Sequence, residues 1–244
     1  MDYGVIVDVE TTGLNPEQDR VIEIGVVEFC VQIGKTPTIT DMYSAIEDPQ
    51  IPIPDVVKKL TGIHDEMVKE RSIDWGRVAA LLSRSSIIIA HNMEFDRGFL
   101  LRRSELRDIS TRWACSLRHI NWAKHGFTAR SLTYLAADHG FVNPFPHRAL
   151  FDCATTFRLV APYLDELVAR SLEQEFWIYA VGSPFETKDK LRLAGYRWDQ
   201  ERRVWKKLVA DSERPSEREF LVREVYGNGK ASIVEEPAEN PTPV

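Results

Sequence analysis

The sequence predicts an α/β protein with a mixed sheet flanked by helices. Two observations carry this. β-Branched runs come first, as a three-strand antiparallel meander, and single strands then alternate with helical segments. A third observation, a change of composition after residue 170, predicts a small additional α+β module.

Tyr3 to Val9 (YGVIVDV) reads as a buried strand, closed by a turn at Thr11-Thr12-Gly13 and a breaker at Asn15-Pro16. Arg20 to Val31 reads as a long second strand. A turn at Lys35-Thr36-Pro37 leads into a third strand over Thr38 to Ile46. Short helices are expected from Asp55 to Leu60 and from Asp74 to Leu82, and a strand over Ser86 to Ala90. Phe95, Phe99 and Leu100 recur at helical spacing, with Leu106 ending that helix. Thr111 to Cys115 reads as a fifth strand, Leu117–Lys124 and Ala129–His139 as helices, and Phe141 to Pro146 as a proline-broken loop. The helix over Arg148 to Arg170 carries Pro162, which should interrupt it.

In the module, Phe176 to Val181 reads as a strand and Lys188 to Ala194 as a helix. Gly195-Tyr196-Arg197-Trp198 and Val204-Trp205-Lys206-Lys207 read as a hairpin bearing two tryptophans. The expected division is 1–170 for the main domain, 171–227 for the module and 228–244 for a Pro- and Glu-rich disordered tail.

Composition limits what such a chain can be. With 244 residues, 43 % of them hydrophobic, it can bury one sizeable core beside a small module. The formal net charge of -6 counts mildly against a nucleic-acid binder, unless carboxylates surround divalent cations that invert the local sign. Cys30, Cys115 and Cys153 form no C-x-x-C pair and no zinc spacing, as expected in a reducing compartment. The opening MDYGVIVDVE lacks the basic region of a signal peptide, and the aliphatic run Ile87–Ala90 is too short to span a bilayer. The expectation is a cytoplasmic protein without a membrane partner.

The chemistry-bearing residues are acidic. Asp8 and Glu10 lie two apart on a strand, so both side chains share one face. A lone D-x-E is usually a solvated strand edge, but two like charges so placed are costly unless a cation sits between them. Asn92 and Asp96 share a helical face at i, i+4, with Asn92 at a natural N-cap position. Asp152 sits among Leu150, Phe151 and Ala154, and an acid on such an apolar stretch needs a partner or a metal. His147 precedes it in or beside the Pro144/Pro146 loop, placed to swing rather than to pack.

Four carboxylates and one histidine from three chain regions suit two divalent cations, and hard oxygen ligands favour Mg²⁺ or Mn²⁺. Two such ions about 4 Å apart stabilise both the attacking and the leaving oxygen of an in-line phosphoryl displacement. Histidine, with an ordinary pKa near working pH, is suited to take the proton of the attacking water. The chain has no Walker A loop, no G-x-S-x-G and no G-x-G-x-x-G.

These blocks resemble the DEDDh (DnaQ-like) 3′→5′ exonucleases, the superfamily of the proofreading epsilon subunit of bacterial DNA polymerase III and of ribonuclease T. The matching segments are Val7-Asp8-Val9-Glu10-Thr11-Thr12-Gly13-Leu14, then His91-Asn92-Met93-Glu94-Phe95-Asp96, then His147-Arg148-Ala149-Leu150-Phe151-Asp152. Leu60-Thr61-Gly62-Ile63-His64 and Ser131–Ala136 also look like family segments, although His64 stands where many relatives carry threonine. The resemblance covers about residues 3–165 and implies a ribonuclease-H-like mixed five-stranded sheet. It also implies that Asp8, Glu10, Asp96 and Asp152 bind two metals and that His147 is the general base. Thr11, Thr12, Leu14 and Asn92 would meet the terminal nucleotide.

The activity so implied is release of nucleoside monophosphates from single-stranded DNA or 3′ DNA ends, with DNA replication or repair proteins as partners. Short RNA is the alternative substrate. A non-catalytic nucleic-acid-binding scaffold on the same fold is disfavoured because all five chemical positions are intact. The module resembles a small domain of unknown function in bacterial and phage-type proteins. Its local excess of Lys and Arg between residues 185 and 207, interleaved with Tyr196, Trp198 and Trp205, suits single-strand binding. The alternative is that the two tryptophans form its small core.

Overall fold

The computed structural model describes residues 2–32, 34–227 and 230–238. They form two compact units by backbone contacts, divided between residues 171 and 172.

In the first unit, β1 (Asp2–Thr11), β2 (Val21–Val31) and β3 (Thr38–Ile46) form the antiparallel meander, and β4 (Ile87–Ala90) and β5 (Arg112–Cys115) extend it. The sheet order is β3-β2-β1-β4-β5, with β4 parallel to β1 and β5 parallel to β4. This is the mixed five-stranded sheet expected. Alternation along the strands sends side chains into two cores. Val5, Val7, Val9, Ile24 and Val26 pack with α3 (Trp75–Arg84) and α4 (Met93–Leu100). Ile6, Val27, Phe29 and Ile89 pack on the other face with α5 (Leu132–Asp138), α6 (Ala149–Val160) and α7 (Leu164–Ser171). The short α1 (Asp55–Thr61) and α2 (Asp65–Val68) close a satellite cluster around Ile22, Ile53 and Ile63.

Asp74 caps α3, its carboxylate accepting from Arg77 N at 2.9 Å. Pro162 interrupts the last helical run as a single 3₁₀ turn, Ala161–Tyr163, between α6 and α7. Two expectations fail. The Phe95 helix stops at Leu100, and Leu106 reaches the core from successive tight turns rather than from a helix. Leu117–Lys124 is not helical either. It wraps around the buried Trp122, whose indole N–H donates to Ser116 O at 2.8 Å, and Asn121 N donates to Glu166 at 2.7 Å. Polar residues satisfying such local bonds compete with the helix ladder.

The second unit is a four-stranded sheet of order β7-β8-β6-β9, with all its pairs antiparallel. β6 is Glu175–Val181, β7 Arg197–Asp199, β8 Val204–Ala210 and β9 Ser232–Pro237. With α8 (Lys188–Leu193) and α9 (Arg214–Phe220), it encloses a core of Ile178, Ala180, Leu191, Tyr196, Val209 and Leu221. β9 corrects the expectation of a disordered tail from residue 228. Ser-Ile-Val-Glu-Glu completes the edge beside β6, and the proline that suggested disorder sits at the strand's end, where an edge tolerates it. Residues 228–229 and 239–244 lie outside the described residues.

One glycine decides how α6 meets the sheet. A Cβ on Gly25 would fall 2.4 Å from the backbone of Ala149 and Leu150, so only glycine admits the helix start at this distance. Gly25 is the cross-strand partner of Asp8. The contact therefore sets α6 directly over the strand pair that carries Asp8. Gly25→Ala should cost about 1–3 kcal/mol through overpacking, read as a lowered urea midpoint, and should weaken activity by displacing α6. Wild-type stability and activity in that variant would show that the close approach is not required.

Candidate active site

The acidic residues gather at the C-terminal end of β1. Asp8 and Glu10 share the strand face of Ile6, the face covered by α6. β1 pairs with β4 only as far as Ile6, opposite Ile89. Beyond that point Asp96, from the first turn of α4, takes the place of a neighbouring strand. Its Oδ1 accepts the Val9 N–H at 3.0 Å. Asp152 comes from the first turn of α6. Its Oδ1 accepts from Asn143 Nδ2 at 2.6 Å, and its Oδ2 from the His147 N–H at 2.9 Å.

Glu10, His147 and Asp152 offer ligand atoms that all lie within 4.8 Å of one another. Asp8 and Asp96 stand outside that tight group, but Asp8 feels the charges of Asp96, Asp152, Glu10 and Glu23. His147 is exposed, and its backbone lies in the left-handed region at φ 61°. That costs a non-glycine residue roughly 1–2 kcal/mol. The bond from its own N–H to Asp152 helps to hold the backbone there.

The substrate-side residues divide. Leu14 projects from its loop, 84 % exposed, free to pack against a planar group. Thr12 does not: its hydroxyl donates to Asp19 Oδ1 at 3.1 Å and accepts from Arg20 N at 3.0 Å, and its side chain is buried. The Thr11 hydroxyl donates to Gly13 O. Both threonines shape the loop that presents Leu14. Asn92 occupies the N-cap position of α4 and is exposed, without a side-chain capping bond.

Sequence reasoning missed two supporting residues. Glu23 lies across from Glu10 on β2 and is buried. It receives two hydrogen bonds from Arg148 Nε at 3.1 Å, one from Arg148 Nη2 at 2.9 Å and one from Ala149 N at 3.0 Å. A carboxylate that accepts a helix's first N–H and a bidentate arginine anchors that helix. The only signal was the unusual glutamate within VIEIGVV, and its partner could not be named without the strand register. Asn143, buried in the proline-broken loop, is the second.

Burial raises the proton affinity of Asp8, Glu10, Asp96 and Asp152. Burial pushes Asp8 well above the usual carboxylate range, and the charges of Asp96, Asp152, Glu10 and Glu23 add to it. Burial followed by repulsion from Asp152, Glu23 and Asp96 lifts Glu10 to about 8, with Arg148 opposing. Burial lifts Asp96 to about 7 against the pull of the Val9 hydrogen bond, and Asp152 to about 6. Acidic oxygens that repel one another fit a hard divalent cation, which exchanges repulsion for coordination.

A family model described as "Exonuclease" (RNase_T) matches residues 5–160, a span that contains all five of these residues. The chain belongs to this exonuclease family. It is a member of the DnaQ-like DEDDh superfamily with the ribonuclease-H-like fold. Among relatives of this exonuclease domain, the "3'-5' exonuclease DinG" of Bacillus subtilis is 31 % identical over 172 residues, 67 % of this chain and 18 % of that protein. The "DNA polymerase III PolC-type" of Pediococcus pentosaceus is 30 % identical over 172 residues, 68 % of this chain and 12 % of that protein. The chain thus spans less than a fifth of the length of these relatives. Two solved structures share the exonuclease fold. A full-length 3′-exonuclease has TM-score 0.54 at 21 % identity, covering 68 % of this chain and 61 % of that one. Exonuclease X with 5′-overhanging duplex DNA has TM-score 0.50 at 24 % identity, covering 66 % and 91 %. No helix among the described residues is long and apolar enough to cross a membrane.

The pKa shifts set a pH dependence for the metal-free protein. Carboxyls whose folded-state pKa is raised hold more protons folded than unfolded, so stability falls as pH rises. The window runs from the ordinary values near 4 to the folded values of about 6 to 8. The thermal midpoint in chelator should therefore drop between pH 5 and pH 8, and Mg²⁺ should restore it more at pH 8. Asp96→Asn, which can still accept from Val9, should raise the metal-free midpoint at pH 8 and blunt the Mg²⁺ effect. Differential scanning fluorimetry reads all three, and a flat profile in chelator would contradict the electrostatic account.

Proposed function

We propose that the chain is a metal-dependent 3′→5′ exonuclease that releases nucleoside monophosphates from single-stranded DNA or 3′ DNA ends. The observation that carries this reading is the meeting of Asp8, Glu10, Asp96, Asp152 and His147 at the C-terminal end of the central strand β1, within the family-matched segment. The four carboxylates would hold two Mg²⁺ or Mn²⁺ ions. Such ions would supply charge stabilisation for the attacking and leaving oxygens. His147, exposed beside Glu10 and Asp152, would take the proton from the attacking water. Leu14 would pack against the terminal base. DNA is favoured as substrate because the PolC-type relative is named as a DNA polymerase, which also makes replication or repair proteins the natural partners.

The module's part in substrate binding is less favoured than its sequence suggested. Lys190, Arg192, Arg202, Lys206 and Lys207 are paired with Glu224, Asp189, Glu236, Asp199 and Glu217. Trp205 packs against the core, while Trp198 remains half exposed against it, ring centroids 5.7 Å apart.

Digestion of 5′-labelled DNA oligonucleotides should give a descending ladder with Mg²⁺ or Mn²⁺ and none in excess chelator. Full activity in chelator would end this reading. His147→Ala and His147→Gly should each lower turnover by roughly 10²–10⁴. Glycine suits the left-handed backbone, so His147→Gly should do so without loss of thermal stability. Wild-type turnover in both variants would leave His147 as a loop residue only.

A further inference from the structure

Beside the loop that carries Leu14, a cleft of about 620 Å³ opens between the Pro16–Val21 segment, the Glu47–Gln50 turn, Arg71 and the end of α4. Four arginines line it: Arg20, Arg71, Arg102 and Arg103. It is also lined by Glu17, Asp19, Glu47 and Asp48, so its formal charge is balanced. Three of the four acids, however, have their oxygens committed to hydrogen bonds with the cleft's walls.

Asp19 accepts from the Thr12 hydroxyl and from Asn15 N. The two oxygens of Asp48 accept from Gln50 N and Glu70 N. Glu47 accepts from Ile73 N, the Trp75 indole and Arg103, whose guanidinium lies 4.2 Å from the centre of the Trp75 ring. The other three arginines are not neutralised in this way. The Arg20 guanidinium donates only to the carbonyls of Gln18 and Asp19, and Arg71 is exposed, with no ion pair among the described residues. Arg102 reaches Glu17 at 3.8 Å with both side chains exposed, a contact worth little. Three exposed guanidiniums thus face one open cleft, and three of its four carboxylates are hydrogen-bonded to its walls. The walls are stiff as well. Gln50 and Glu70 both adopt left-handed backbones, and both donate their N–H to Asp48.

The cleft and the catalytic acids share two elements. The Thr12 N–H donates to Arg20 O at 2.8 Å, so one loop bears both Leu14 and Arg20. Pro16 lies 3.7 Å from the Cβ position of Gly98, two residues beyond Asp96 on α4. We propose that Arg20, Arg71 and Arg102 bind successive phosphates of the substrate strand upstream of its 3′-terminal nucleotide. The inference rests on the exonuclease reading above and adds to it a track for the strand. Planar, permanently charged guanidiniums suit phosphates, and three of them lining one open cleft give a chain more than one phosphate contact.

The test compares two substrates in Mg²⁺: a 20-nucleotide single strand, and the 4-nitrophenyl ester of thymidine 5′-monophosphate, which has no upstream phosphate. In Arg20→Gln/Arg71→Gln/Arg102→Gln, kcat/KM for the oligonucleotide should fall relative to the ester by about tenfold or more at 0.1 M salt. The effect should be carried by KM. The slope of log(kcat/KM) against log salt should flatten by about 2 units, since each single-strand phosphate contact contributes roughly 0.7. Lysine at the three positions should restore part of the slope. Arg107→Gln, an exposed arginine outside the cleft, should change neither substrate. An unchanged ratio and slope, with wild-type protein active on both compounds, would overturn the track and leave the exonuclease reading standing. A wild-type protein inactive on both compounds would overturn the exonuclease reading and the track with it.

Discussion

Everything in the first unit answers to one electrostatic constraint: several carboxylates are buried within reach of one another at the end of β1. Burial raises the proton affinity of each of the four, and repulsion within the cluster adds to it at Asp8, Glu10 and Asp96. A chain would discard such a cluster unless the surrounding structure over-determined it. The structure does so from three sides. Val9 N–H holds Asp96, Asn143 and the His147 N–H hold Asp152, and β-strand geometry holds Asp8 and Glu10. Backbone N–H groups and the Asn143 side-chain amide thus hold Asp96 and Asp152 in place against that repulsion.

The seating of α6 shows how the same constraint spreads. Gly25 lets the helix start come close, and Glu23 accepts the first helical N–H together with Arg148. Glu23 is itself a further negative charge near Glu10 and Asp8. Arg148 neutralises it, so the helix is anchored without adding an unpaired charge to the cluster. Across the site, Thr12 ties Asp19 and Arg20 into a compact loop, leaving Leu14 outward. β1 and the first turns of α4 and α6 position the acids, and a cross-braced loop positions the exposed Leu14.

Much of this was legible in the sequence because it rests on short-range periodicity. The period-2 placement of Asp8 and Glu10, the strand-then-helix order and the break at Pro162 each follow from local geometry. What escaped depends on long-range partners. Glu23 sits in a strand whose residues from Val21 to Cys30 are all buried, so alternation could not separate a buried acid from a solvated one. Its meaning needed both the β1–β2 register and Arg148, 125 residues away. Leu117–Lys124 carries helix-compatible residues but is drawn into turns by Trp122 and Glu166. β9 reads as tail by composition and becomes a strand by pairing with β6. The local basic excess at residues 185–207 was real as a count, and much of it is matched by acids both inside and outside that stretch.

The central claim is that the four carboxylates form a site for two divalent cations. Calorimetric titration of the metal-free chain with Mn²⁺ at pH 7, in two buffers of different ionisation enthalpy, tests it most directly. Carboxyls raised to about 6, 7 and 8 are partly protonated at that pH and must release protons to bind metal. The account predicts two ions per chain and a heat that changes with the buffer, both lost in Asp8→Asn. Absence of binding, or binding unchanged in Asp8→Asn, would contradict it.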